Sequence, residues 1–174
     1  MTSQSDQLTL TISPTAWQKI LYMLKKGKTE VGGMGITYEN PLCIREFHLV
    51  EANCTPASVE FTESGIADFF DKMDERNLQP NQYFRIWIHT HPTFSPKPSG
   101  TDENTFNETF GTTDFAIMLI VASANSTYAR IRMTVNGITI QQEANVQIDW
   151  QIPCEASDIN SWEDEYKQNI KERK

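Results

Sequence analysis

The chain has 174 residues and is poor in cysteine and histidine, with three of each. Cys43, Cys54 and Cys154 form no CxxC pair, and an odd number of thiols suits neither a closed disulfide framework nor a thiolate zinc site. We therefore expect reduced thiols that are buried as small hydrophobic side chains.

Basic residues are also scarce. Lys and Arg number 15 against 23 Asp and Glu, which gives a formal net charge of −8. Nucleic-acid binding by counterion release needs a basic face, so the composition argues against a general nucleic-acid binder.

The chain has no apolar stretch long enough to cross a bilayer, and residues 1–7 have neither a positive charge nor an apolar segment. We expect no secretory signal, no membrane association and a cytoplasmic location.

Length and hydrophobic periodicity predict a single α/β (α+β) domain. Area scaling gives about 70% surface burial for a chain of this size, which is enough for one full core. The succession of strands and helices along the chain favours a mixed β-sheet with helices packed on it. The predicted strands span 8–12, 43–50, 59–61, 83–91, 115–122, 128–135, 138–142 and 146–150, and the predicted helices span 14–27, 63–76, 102–110 and 159–174.

The carboxyl-terminal residues 153–174 are expected to form a helical extension to a domain over residues 1–152. Trp162, Tyr166 and Ile170 fall at helical spacing. That stripe predicts docking on the core, and recruitment of a partner is the alternative.

Two of the three histidines lie two residues apart on one predicted strand. His89 and His91 therefore project from the same face of the sheet, and Pro92 ends the strand directly after them. The loop returns with Ser99 and Asp102 at the start of a predicted helix. Two histidines and one aspartate leave a fourth position open, which is typical of a catalytic zinc site rather than a structural one.

Other interpretations of these residues stay open. A strand histidine can simply pack in a core, and Ser99 with Asp102 has the form of a helix capping box, a role that is compatible with metal binding. Two histidines and a carboxylate also suit Fe(II). A cupin, however, has a glutamate three or four residues after its HxH, where Ser95 and Pro96 stand here, and the only further histidine is His48. A zinc deaminase is disfavoured because the PCxxC element is absent.

The sequence resembles the JAMM metallopeptidases, also called MPN-plus or JAB-domain proteins. Their signature is a glutamate ahead of a glycine-rich strand, then HxHP, about seven or eight residues, and SxxD. Glu30, His89, His91, Ser99 and Asp102 occupy those positions in this chain. The resemblance covers residues 8–142 and implies an MPN/JAB-like metallopeptidase domain, with a curved mixed sheet and a cytidine-deaminase-like architecture. The methionine at position 34, where the family frequently has leucine, should alter packing only.

The resemblance also implies a set of roles. His89, His91 and Asp102 would bind one Zn²⁺ with a water in the fourth position. Glu30 would take the proton of that water and deliver it to the leaving amine, while Ser99 would stabilise the oxyanion. The implied activity is that of a deubiquitinase-like isopeptidase, a hydrolase that cleaves an amide or isopeptide bond in a ubiquitin-like or sulfur-carrier protein conjugate. The alternative is a catalytically silent scaffold or protein-interaction module, because many members of the wider fold have lost the ligands.

The stretch from Glu46 to Glu75 is strongly acidic. It contains eight acids against one base, Lys72, a local sum of −7. Such a run is typical of a solvated helix face. It also predicts a surface that attracts a basic protein substrate.

Overall fold

The computed structural model of the chain describes residues 8–93 and 95–173. Residues 1–7, where the sequence predicts no secretory signal, lie outside the described residues, as do Phe94 and Lys174. Within the described ranges, no helix is both long and apolar enough to cross a membrane.

The described residues form five helices and eleven strands. The helices are α1 (Pro14–Lys26), α2 (Glu63–Glu75), α3 (Pro80–Tyr83), α4 (Gly100–Phe110) and α5 (Ile159–Asn169). The strands are β1 (Thr9–Ile12), β2 (Gly32–Ile36), β3 (Cys43–Ile44), β4 (Glu46–Leu49), β5 (Ala52–Thr55), β6 (Ser58–Phe61), β7 (Ile86–Thr90), β8 (Phe115–Ser123), β9 (Ser126–Val135), β10 (Ile138–Ile148) and β11 (Ile170–Glu172).

Eight strands form one mixed sheet in the order β3-β1-β10-β9-β8-β7-β2-β4, and a small sheet has the order β11-β5-β6. Strands β3 and β4 lie at opposite edges of the large sheet, yet only Arg45 separates them in the chain. The Ser13 N–H donates to the Ile44 carbonyl, and the Arg45 N–H donates to the Ile36 carbonyl, both at 2.8 Å. The two edges therefore meet, and the sheet is curved and nearly closed.

Helices and strands cover both faces of the sheet. On β7, Ile86 and Ile88 belong to the core under α1, whereas Trp87 belongs to a second core that includes Phe106 and Phe110 of α4. Strand β8 alternates in the same way between the two cores. This burial of both faces explains the continuous apolar run of β8 and confirms the predicted mixed α/β class.

Several predicted elements have different bounds in the structure. Pro80 starts the short helix α3, so β7 begins at Ile86 and not at Tyr83. The predicted strand over 43–50 is two strands, and the predicted strand over 146–150 is the end of β10, where it leaves β9 and pairs in parallel with β1. The terminal helix ends at Asn169 and is followed by β11, which pairs with β5.

The thiols differ from the prediction. Cys54 is buried, Cys43 is partly buried and Cys154 is exposed. The prediction was wrong for Cys154 because residues 153–161 run over the surface, where the Cys154 thiol lies 3.2 Å from the Gln18 amide nitrogen.

Helix α5 packs on α1 and on the apolar core under α1. Trp162, Tyr166 and Ile170 are buried in that core, as their spacing predicted. The Trp162 ring lies 5.7 Å from the Tyr22 ring, measured between centroids. The Lys19 ammonium pairs with Glu165 at 2.5 Å, and both side chains are largely buried.

We predict that Trp162→Ala lowers the free energy of unfolding by about 3–5 kcal/mol, because it leaves a cavity between α5 and α1. Trp150→Ala is the matched control. Trp150 is 74% exposed, against 7% for Trp162, so its loss should cost less than about 0.5 kcal/mol. Urea unfolding measures both values. Equal effects of the two substitutions would show that α5 contributes nothing to the stability of the core.

Candidate metal centre

Strand β7 places both histidines in the middle of the large sheet. It pairs with β2 on one side and with β8 on the other. His91 directly follows the strand, and its N–H donates to the Val121 carbonyl at 3.0 Å. The two imidazoles share a face, with ring centroids 5.1 Å apart. Thr90 faces away, and its hydroxyl accepts the Val31 N–H at 3.0 Å.

The β2–β7 register brings Glu30 to the same point. Gly32 lies opposite His89, and the Thr90 N–H donates to the Val31 carbonyl at 2.9 Å, so Glu30 comes beside His91. The Glu30 Oε1 lies 3.6 Å from the His91 Nε2. The glycines of β2 allow neighbouring backbone to approach closely: a Cβ at Gly33 would lie 2.0 Å from the His48 carbonyl oxygen.

Helix α4 delivers the aspartate. Ser99 is its N-cap: the Ser99 Oγ accepts the Asp102 N–H at 3.2 Å, and the Asp102 Oδ2 accepts the Ser99 N–H at 2.6 Å. The same carboxylate approaches both imidazoles, with Oδ1 3.1 Å from the His89 Nε2 and Oδ2 3.5 Å from the His91 Nε2. The capping box and the predicted ligand position therefore coexist in Asp102.

Glu30, His89, His91 and Asp102 form one buried cluster. Each offers a ligand atom, and these atoms all lie within 4.8 Å of one another. Exposure is 5% for Glu30, 0% for His89, 6% for His91 and 2% for Asp102. Such a group could hold a metal ion. Ser99 is exposed and reaches the cluster only through its two hydrogen bonds to Asp102 among the contacts described.

The donor atoms of this cluster fit a cation. Both ring nitrogens of His89, the His91 Nε2 and the Glu30 Oε2 are buried, and none finds a well-aligned hydrogen-bond partner among the described residues. The His91 Nδ1 donates to the Ser95 carbonyl at 2.9 Å, so in the neutral imidazole the lone pair lies on Nε2, which faces the two carboxylates. Buried polar atoms without partners destabilise a fold, and a bound metal ion would remove that cost.

Burial controls protonation in the cluster. It raises the pKa of Glu30 to about 7, because the charged carboxylate has little access to solvent. It lowers the pKa of His89 for the same reason. Burial also opposes ionisation of Asp102, but the imidazoles of His89 and His91 beside it outweigh this effect and hold the pKa of Asp102 well below its usual range. The cluster therefore combines a permanently ionised carboxylate with one that changes protonation near neutral pH.

Several supporting residues were not predicted from the sequence. The Trp87 ring stacks on His89, with centroids 4.1 Å apart, and the Ser95 carbonyl orients His91. Trp87 could have been found, because it lies two residues before His89 on the same face of β7. The position of Ser95 depends on the path of the loop, which the sequence does not reveal.

No model of a known protein family matches the sequence, and no curated protein matches it. Solved structures do match the fold. One is the solution structure of a protein from Desulfitobacterium hafniense, which is 12% identical and superposes with a TM-score of 0.49. That match covers 85% of this chain and 96% of the other. A likeness at this level says nothing about function.

We predict that Glu30→Gln stabilises the metal-free protein, and that the gain grows as the pH rises from about 4.5 to about 7. The folded-state pKa of Glu30 lies above its unfolded value, so ionisation in this window favours the unfolded chain and the wild type loses stability. The gain should reach about 3 kcal/mol above neutral pH.

Urea unfolding at pH 5 and pH 8, in the presence of a chelator, tests this. Glu60→Gln, at an exposed position, is the control and should change stability by less than about 0.5 kcal/mol at both pH values. A gain from Glu30→Gln that is the same at both pH values would contradict the prediction.

Proposed function

We propose that this protein is a zinc-dependent metallopeptidase or isopeptidase of the JAMM type, with an MPN/JAB-like fold. The observation that carries the proposal is the buried cluster of Glu30, His89, His91 and Asp102. Its support is twofold: Glu30, His89, His91 and Asp102 of the JAMM signature come together in space, and four buried nitrogen and oxygen atoms of this cluster find no hydrogen-bond partner among the described residues.

In this proposal His89, His91 and Asp102 hold the zinc ion. When bound, zinc would lower the pKa of a water molecule and polarise the scissile carbonyl. The protein supplies the ligand geometry. His89 is fixed by β7 and by the stacked Trp87, and His91 by its hydrogen bond to Ser95.

Glu30 is the general base and then the general acid. Its buried carboxylate, 3.6 Å from the His91 Nε2, would take a proton from the attacking water and release the proton to the leaving amine. Ser99 accepts the Asp102 N–H through its oxygen, so its hydroxyl proton is available to the oxyanion of the substrate. The proposed reaction needs no covalent enzyme intermediate.

The proposed substrate is a ubiquitin-like or sulfur-carrier protein conjugate in the cytoplasm. The acidic stretch over 46–75 supports a basic partner, but fewer of its acids are free to contact that partner than the composition suggests, because some already pair with bases of this chain. Glu46 pairs with Arg76 at 2.8 Å, and Glu51 pairs with Lys171 at 2.9 Å. The exposed acids that share one face of α2 are Asp68, Asp71 and Glu75.

Two alternatives compete with this proposal. A catalytically silent scaffold would have no use for four buried titratable groups. An iron enzyme of the two-histidine, one-carboxylate type would use the same His89, His91 and Asp102. A cupin-like iron site would need a third histidine, but His48 lies outside the cluster and pairs with Glu46 at 2.7 Å.

We predict that the purified protein contains zinc and cleaves one member of a panel of ubiquitin, ubiquitin-like and sulfur-carrier conjugates. A chelator should abolish turnover, and Zn²⁺ should restore it. Glu30→Gln should retain the metal and lose about 10²- to 10⁴-fold in kcat, because it removes the proton-transfer group alone.

Elemental analysis and the panel separate the alternatives. Iron in place of zinc would favour the iron enzyme. Bound zinc with no turnover across the panel would favour the scaffold. Undiminished activity of Glu30→Gln would remove Glu30 from the mechanism.

We predict that reversing the acidic face of α2, with Asp68→Lys, Asp71→Lys and Glu75→Lys, lowers kcat/KM about tenfold at low ionic strength. The loss should shrink as salt screens the surface, and kcat should not change. Steady-state kinetics on the cleaved conjugate, measured over a range of ionic strength, checks this. A kcat/KM that is unaffected at every salt concentration would leave α2 as an ordinary solvated helix.

A further inference from the structure

Asp102 differs from the other members of the cluster in how it is held. His89 lies within the β-ladder, His91 directly follows β7 with its N–H bonded to β8, and Glu30 adjoins β2. Asp102 lies in the first turn of α4, after a loop of nine residues, 91–99, that forms no strand in its described part. No ladder fixes its distance from the histidines, so that distance depends on where α4 rests against the sheet.

Strand β9 holds the first turn of α4 through a bidentate ion pair between Arg130 and Glu103. Arg130 donates from Nη1 to the Glu103 Oε1 at 2.8 Å and from Nη2 to the Glu103 Oε2 at 2.7 Å. The Arg130 side chain is 13% exposed, and its guanidinium lies 5.6 Å from the centre of the Phe106 ring. Bidentate guanidinium–carboxylate pairs are strong and directional, and partial burial shields this one from screening by salt.

The partner of Arg130 is next to the metal ligand in sequence. Glu103 and Asp102 both belong to the first turn of α4, and Arg130 is fixed in β9 opposite Met118 of β8. One side-chain contact, between Arg130 and Glu103, and one peptide bond, between Glu103 and Asp102, therefore link β9 to the proposed metal ligand. A second arginine on the same face of β9, Arg132, donates to the Gly111 carbonyl at 2.9 Å, at the other end of the helix.

We infer that Arg130 is a positioning residue: through Glu103 it sets the Asp102 carboxylate at the distance from His89 and His91 that metal binding requires. The inference rests on the metal centre of the proposed function and not on peptidase activity. Arg132 anchors the far end of α4, and its distance from Asp102 makes it a suitable comparison.

The test is the metal affinity of the purified chain, measured by competition between the apo-protein and a chromophoric chelator for Zn²⁺. Arg130→Lys keeps the positive charge but loses the bidentate geometry, and Glu103→Gln keeps the shape of the side chain but loses its negative charge. Each should weaken zinc binding about tenfold, the loss expected when a supporting contact of a ligand is removed. The double variant should bind no more weakly than either single variant, because both act through one contact.

Arg132→Lys is the matched control, since it weakens an arginine contact of the same helix away from the ligand. Its zinc affinity should stay within about twofold of the wild type. Thermal melting of each apo-variant shows whether the folded state is intact. The visible spectrum of the Co²⁺-loaded protein adds a second readout: Arg130→Lys should move it toward the spectrum of Asp102→Asn.

Unchanged affinity in Arg130→Lys and Glu103→Gln would overturn the inference, and so would an equal loss in Arg132→Lys, which would indicate a general effect of helix stability. These outcomes concern the variants only. If the wild type bound no zinc, the proposed metal centre itself would fail.

Discussion

The structure depends on the burial of four ionisable side chains at one point, between the end of β7 and the first turn of α4. Glu30, His89, His91 and Asp102 are each at most 6% exposed. Their polar atoms are only partly satisfied by one another, and unpartnered buried polar groups cost about 1–3 kcal/mol each. An inert fold would gain stability by replacing such a group with apolar side chains of similar volume. The cluster is therefore a group that could hold a metal ion, and a bound ion would offset this cost.

The rest of the fold supplies the rigidity that this cluster needs. An apolar core packs against each face of the large sheet. The sheet is curved, so that its edge strands β3 and β4 meet on either side of Arg45. Strands β2, β7 and β8 are neighbours in this sheet, so the backbone that carries Glu30, His89 and His91 has little freedom. Asp102 lies in α4, outside these strands, which is why the contacts between β9 and α4 bear on the geometry of the cluster.

The sequence predicted more of the site than of the fold around it. Alternation along a strand is enough to place His89 and His91 together, and the SxxD spacing is enough to place Asp102 at a helix start. Glu30 came from the family signature alone, because the strand register that brings residue 30 beside residue 91 cannot be derived from local patterns. Strand β11 was missed for the same reason: Ile170 continues the apolar stripe of α5, and only its pairing with β5, over a hundred residues away in the chain, makes it a strand.

The double role of Asp102 explains why its two sequence interpretations were never exclusive. A carboxylate has two oxygens, and here Oδ2 accepts the Ser99 N–H while both oxygens face the histidines. An aspartate at a helix N-terminus is favoured as an anion by the helix dipole, and the same negative charge is what a metal ligand must provide. In the proposed metal centre the cap would prepare Asp102 for this role, since it fixes one oxygen and favours ionisation in the metal-free protein. Asparagine could cap the helix in a similar way, but as a neutral side chain it would give the site no charge to offset that of a cation.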